Sequence, residues 1–204
     1  MSPRRYDQRL RAEAAEETRR RVLDALYERL KAEPSRPVSV DEIAQIARVA
    51  RSTIYLVFGS RAGLFDALAA ELFTSGEFAL VEAAAANPDA RESMRDGLLG
   101  GARMFAAHRD VFRVLTSMAQ LDANAVGGAV QRLDAARAAG MARLAERLAA
   151  AGLLRPDVSE EDAAHVLWLL TSFDSFDLLY TGRNLSVYET VEVLTTTAER
   201  SLYR

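Results

Sequence analysis

Arg51, Ser52, Thr53 and Tyr55 stand side by side with little between them. An arginine fork matches the O6 and N7 acceptors of guanine. Serine and threonine hydroxyls serve base edges or phosphates, and a tyrosine hydroxyl reaches a phosphate. On one short helix these side chains could read nucleic acid from the helix's first turn. The same row also suits the solvated face of an ordinary three-helix pack.

The elements that must position this row can be read from the neighbouring residues. Val40, Ile43, Ala44 and Ala47 share one helical face. Ser39 and Glu42 have capping-box spacing, so that helix starts at Ser39, with Asp41 and Glu42 suiting its dipole. The apolar period breaks over Arg48, Val49 and Ala50. It restarts at Arg51, with Ile54 and Phe58 on one face. Gly59 can end this second helix and Ser60 can cap a third. Two short helices across a tight turn form a helix-turn-helix pattern, with Arg51, Ser52, Thr53, Tyr55 and Leu56 off the apolar side of the second.

The unbroken segment Ile46–Phe65 resembles the DNA-binding signature of the TetR family of transcriptional regulators. The matching residues are Ile46 and Ala47 before the turn, Val49, Thr53-Ile54-Tyr55, Phe58, Gly59-Ser60, the base Arg61, and Leu64. The resemblance implies that Arg51 and Ser52 read base edges and that Ser39, Thr53, Tyr55 and Arg61 hold phosphates. Val49, Ile54 and Phe58 would form the core beneath. Three departures narrow this reading. Arg48 stands at the usual turn glycine, Ala50 at the usual serine-like cap, and Leu56 and Val57 where aromatic or histidine side chains often touch the backbone. More weight then falls on Arg48, Arg51, Arg61 and a basic N-terminal arm that includes Arg5, with Leu56 kept among the DNA-facing residues.

The chain has 204 residues, half of them apolar, with no cysteine and two histidines. That is enough to bury a core as one domain or two small ones. Disulfides and thiolate metal sites are excluded, and His108 and His165 lack the spacing of a zinc site. No membrane-spanning run, secretory leader, glycine-rich phosphate loop or Ser/His/Asp set is found. The expectation is a cytoplasmic protein without cofactor or metal, and not an enzyme. Residues 1–65 carry 13 Lys+Arg against 9 Asp+Glu, a local excess of positive charge in a chain of net charge −3. A DNA-facing end on an acidic body fits that asymmetry.

The remaining pattern is helical throughout, with candidate helices near 7–31, 60–86, 89–107, 109–120, 123–151, 159–181 and 186–203. An all-α fold of about nine helices is expected. Asn87-Pro88-Asp89 divides a helix-turn-helix domain over 1–86, including a connecting helix 60–86, from a larger helical domain over 87–204. The helix at 159–181 is apolar nearly all round and must be covered on all sides. With the stripe of 186–203 it predicts a homodimer through a four-helix bundle, and the resemblance implies the same interface. An intramolecular core helix is the alternative.

Asp174 and Asp177 lie in that apolar helix, where they must reach solvent, a partner or a cavity. With Phe105, Phe112, Met118, Trp168 and Phe173 they are candidates for an effector pocket, since TetR-like proteins keep one in the larger domain. The resemblance thus implies a ligand-responsive regulator, more often a repressor. It would bind a pseudo-palindromic double-stranded DNA operator as a dimer and be released by a small-molecule effector. Two other readings stay open: a helical small-molecule-binding protein or enzyme on the same scaffold, and a DNA binder controlled by a protein partner.

Overall fold

A computed structural model describes residues 3–74, 76–121, 123–126 and 128–204, with side chains at all of these except 3–9, 11, 123 and 125. The described residues form eleven α-helices: α1 (Pro3–Ala32), α2 (Val40–Ala47), α3 (Arg51–Phe58), α4 (Arg61–Leu72), α5 (Gly76–Ala86), α6 (Ala90–Ala107), α7 (Arg109–Leu121), α8 (Ala129–Ala150), α9 (Glu160–Leu170), α10 (Phe173–Tyr180) and α11 (Val187–Leu202). A single 3-10 turn, Ala123–Val126, precedes α8.

The count exceeds nine because two long helices expected from the sequence are each broken. At Thr74 the amide (3.0 Å) and the hydroxyl (2.9 Å) both donate to the Glu71 carbonyl, closing a tight turn that ends the run begun at α4. Between α9 and α10, the Thr171 hydroxyl donates to the Leu167 carbonyl at 2.7 Å. The Ser172 hydroxyl donates to Leu169 at 2.8 Å and accepts the Ser175 amide at 3.1 Å. These hydroxyls satisfy the ends of a broken ladder, so apolar periodicity runs through a real helix boundary. At the other end of the chain α1 takes in the basic N-terminal segment that includes Arg5.

The helices group into two compact units, Met1–Ala70 with Arg113–Val130, and Glu71–Phe112 with Gln131–Arg204. The Asn87–Asp89 turn lies inside the second. In the first unit Val22, Leu26 and Leu30 of α1, Ile43 of α2, Ile54 of α3, and Leu64 and Phe65 of α4 are buried. In the second, Met94, Leu98, Leu148, Leu167, Ala198 and Leu202 belong to one apolar cluster. There α5 crosses α6 at Gly100, where a Cβ would stand 3.1 Å from the Val81 amide nitrogen, so the helices meet backbone to backbone. Within the cluster, the Tyr203 hydroxyl lies 3.3 Å from the Met94 sulfur. Burial pushes the Tyr203 phenol up to about 12. No helix is long and apolar enough to cross a membrane among the described residues.

Candidate nucleic-acid interface

The Ser39 hydroxyl caps α2 by accepting the Glu42 amide at 3.1 Å. The Glu42 side chain, expected to complete a capping box, is instead engaged by two arginines. Arg29 Nε donates to Oε1 at 2.6 Å and Arg36 NH2 donates to the same oxygen at 2.8 Å. The Arg29 hydrogen bond is the main reason the Glu42 carboxyl lies below its ordinary pKa. Arg29 also donates to the Glu33 carbonyl at 2.9 Å, so one buried arginine joins α1, the following loop and α2.

The turn between α2 and α3 is built on Arg48, which takes the left-handed conformation at φ 54° and ψ 48°. The Val49 amide then reaches back to the Ala44 carbonyl at 2.9 Å. An L side chain is disfavoured in this region, and the usual solution is glycine. Ala50 leads into α3 with extended backbone and no side-chain cap. The second stop is made the ordinary way, by Gly59 at φ 75°.

Ser60 then caps α4 by accepting the Gly63 amide at 2.9 Å. Gly63 has its own reason to be glycine, because a Cβ there would lie 2.1 Å from the Phe58 carbonyl oxygen. The last carbonyls of α3 thus rest directly on the first turn of α4. Arg19 of α1 places its guanidinium 5.3 Å from the centre of the Phe58 ring.

With Ile54 buried, the opposite side of α3 presents Arg51, Ser52, Tyr55 and Leu56 to solvent, and Leu56 is 87% exposed. Arg51 NH1 donates to Asp41 Oδ2 at 2.7 Å and NH2 donates to the Tyr55 hydroxyl at 3.3 Å. Tyr55, then Asp41, raise the guanidinium's pKa above its ordinary value. Ser39 and Arg48 are exposed on the same helix pair, while Thr53 is half-buried. Arg61 is half-buried too, 4.7 Å over the Phe65 ring and within 3.5 Å of the Val38 carbonyl. The Arg5 side chain lies outside the described residues.

Among the candidate effector residues, Phe105, Phe112 and Phe173 pack on one another. Phe105 meets Phe112 (5.1 Å between ring centres), Phe173 (5.5 Å) and Phe176 (5.7 Å), and all four are buried. Beside them a cavity of about 20 Å³ lies between Gly97 and Gly101 of α6 and the Thr171–Ser172 turn, which is room for a single water. Trp168 carries the Arg137 guanidinium 5.0 Å from its ring centre. Asp174 is exposed, and Asp177 accepts the Thr181 hydroxyl at 2.6 Å. Met118 is assigned to the first compact unit and the other candidates to the second.

Sequence reasoning missed Arg29, Gly63 and the Asp41–Arg51 pair. The pair's partners are ten residues apart on different helices, so no period links them. Gly63 lies beyond the glycine that signals the helix stop, and only the approach of Phe58 explains it.

Residues 22–68 match the model of the bacterial regulatory proteins, tetR family. That stretch runs from the buried part of α1 to α4 and contains the whole helix-turn-helix. Over its helix-turn-helix the chain is similar to the tetR family, and its fold is TetR-like.

The TetR-like fold extends over nearly the whole chain. Native NalD, the secondary repressor of the MexAB-OprM multidrug efflux pump in Pseudomonas aeruginosa, superposes with a TM-score of 0.71 at 24% identity, covering 94% of this chain and 98% of that one. A TetR family transcription regulator from Marinobacter aquaeolei VT8 gives a TM-score of 0.69 at 18% identity, with 96% and 98% covered. A TetR-like transcriptional regulator from Rhodococcus sp. RHA1 gives 0.64 at 23%, with 90% and 94% covered. No curated protein matches the chain. At these identities the structural likeness is one of fold, and the residues on the exposed side of α3 are this TetR-like chain's own.

Proposed function

We propose that this chain is a cytoplasmic, DNA-binding transcriptional repressor that acts as a homodimer on a pseudo-palindromic operator. The observation that carries the reading is the exposed row Arg51, Ser52, Tyr55 and Leu56 on a helix whose opposite side is anchored by buried Ile54. Arg51 and Ser52 read base edges, and the Leu56 side chain suits a thymine methyl. Ser39, Arg48, Thr53, Tyr55 and Arg61 hold phosphates, with Arg5 on the adjoining backbone. The reading domain is taken as 1–86 and the control domain as 87–204, and the role is binding rather than catalysis. Dimerisation uses the apolar side chains left exposed on α9, α10 and α11, among them Leu169, Leu178 and Tyr188. A small-molecule effector seated among Phe105, Phe112 and Phe173 releases the DNA by favouring another spacing of the two reading heads.

The test is binding to genomic DNA fragments as salt is varied. Several neutralised phosphates per dimer give a log–log slope of roughly −0.9 for each. A flat salt dependence, or no preference among fragments, would sink the proposal.

A second reading has one observation in its favour. The cavity that touches Phe105 and Phe176 measures about 20 Å³, far below the volume of a drug-sized site. Control by a protein partner needs no cavity. Native mass spectrometry of the purified dimer separates the two: a retained small molecule that lowers operator affinity supports the effector, and operator release by a partner protein alone supports the second reading.

A further inference from the structure

We propose that Asp41 is a specificity-determining positioning residue: it grips Arg51 and holds the guanidinium in the orientation that reads a guanine in each half-site. The inference rests on the reading of α3 as the recognition helix. Arg51 NH1 donates to Asp41 Oδ2 at 2.7 Å, its NH2 donates to the Tyr55 hydroxyl at 3.3 Å, and its guanidinium carbon lies 5.6 Å from the Tyr55 ring centre. A long, freely rotating side chain is thereby held from two helices. Its remaining N–H groups stay available, and a bidentate guanine contact needs two of them.

The placement of Asp41 argues for this role by elimination. Its side chain is 65% exposed and that of Arg51 is 57% exposed, so the pair belongs to no core. Exposed ion pairs contribute little to stability. A carboxylate on a surface facing phosphates also weakens DNA binding, since it opposes the charge that the interface must supply. Asp41 therefore costs affinity and, beyond its favourable charge in the first turn of α2, adds little to the fold. What it supplies is orientation: a guanidinium already held in place gives up less freedom on meeting a base, and a wrong base cannot draw it into another rotamer.

The experiment is selection by the full-length protein from a randomised double-stranded DNA library, followed by competition between the selected duplex and its single-base variants. Wild-type protein should enrich a pseudo-palindrome with a guanine in each half-site, and Arg51→Ala should lose that guanine. Asp41→Ala should lower discrimination at the guanine by roughly five- to tenfold, a part of what a bidentate contact supplies. Asp41→Glu should restore most of it. In an Arg51→Ala background, Asp41→Ala should change no base preference, which a general effect on folding would not reproduce. Asp41→Asn keeps an acceptor in the first turn of α2 and serves if the alanine variant melts early.

Unchanged discrimination in Asp41→Ala, with affinity raised for every sequence alike, would overturn the proposal and leave Asp41 a mere competitor of DNA. A wild-type motif without an Arg51-dependent guanine would overturn it too, while leaving the DNA-binding reading standing. Only the absence of any enriched motif would remove that reading itself, and the role of Asp41 with it.

Discussion

Arg29 Nε lies 2.6 Å from Glu42 Oε1, and the arginine side chain is only 5% exposed. Helix α3 is thus held at one remove: α1 holds α2 through this pair, and α2 carries the turn into α3. Because Arg29 keeps the Glu42 carboxyl below its ordinary pKa, the pair stabilises the fold above the unfolded value of 4.5, and that contribution is lost as pH falls through the lowered folded value. Glu42→Gln should lower the urea midpoint at neutral pH and flatten its decline between neutral and acid. An unchanged acid limb would show that the pair does not couple protonation to folding.

Arg48 sits in left-handed backbone at φ 54°, where glycine is ordinarily found. Relief of that strain should make Arg48→Gly more stable by about 0.5–1 kcal/mol in chemical denaturation. If Arg48 also neutralises a phosphate, the same variant should bind DNA more weakly, with a salt slope shallower by about one unit for each phosphate it no longer neutralises. Normal affinity would remove Arg48 from the interface.

Ala50 begins α3 without a side-chain cap. Ala50→Ser should supply one and raise stability by about 1 kcal/mol. A midpoint that does not move would mean that α3 is held by packing alone.

Gly63 is pressed against the end of α3, where a Cβ would sit 2.1 Å from the Phe58 carbonyl oxygen. Gly63→Ala should destabilise the protein by roughly 1–3 kcal/mol, despite alanine's better helix propensity. A gain in stability would contradict the close approach.

Tyr203 gives the opposite sign of pH dependence. Its phenol is pushed up to about 12 by burial, so the folded state favours the neutral ring. That contribution is complete below the unfolded value near 10 and is lost as pH rises through the folded value. Absorbance titration should show one tyrosine ionising late, and Tyr203→Phe should remove that step. It should also make stability less sensitive to high pH.

The helix-turn-helix was legible because its signals are local. Ser39, the Ile43–Ala47 face, the break at Arg48, and Gly59 each act on neighbours within a turn or two of backbone. The two broken helices were less legible, because Thr74 and Ser172 end them with hydroxyls while the apolar period continues across the break. The candidate effector set was least legible. Phenylalanines that could line a pocket are, by composition alone, the same residues that can pack on one another, as Phe105, Phe112 and Phe173 do.

By itself, the sequence determined an all-helical chain and the helix that carries Arg51, since periodicity and capping are short-range properties of the chain. Tertiary structure alone decided that Arg51 is held by Asp41, that Glu42 serves Arg29, and that Gly63 must be a glycine. Each depends on atoms from separate elements meeting within hydrogen-bond or van der Waals distance, and spacing along the chain does not encode such meetings.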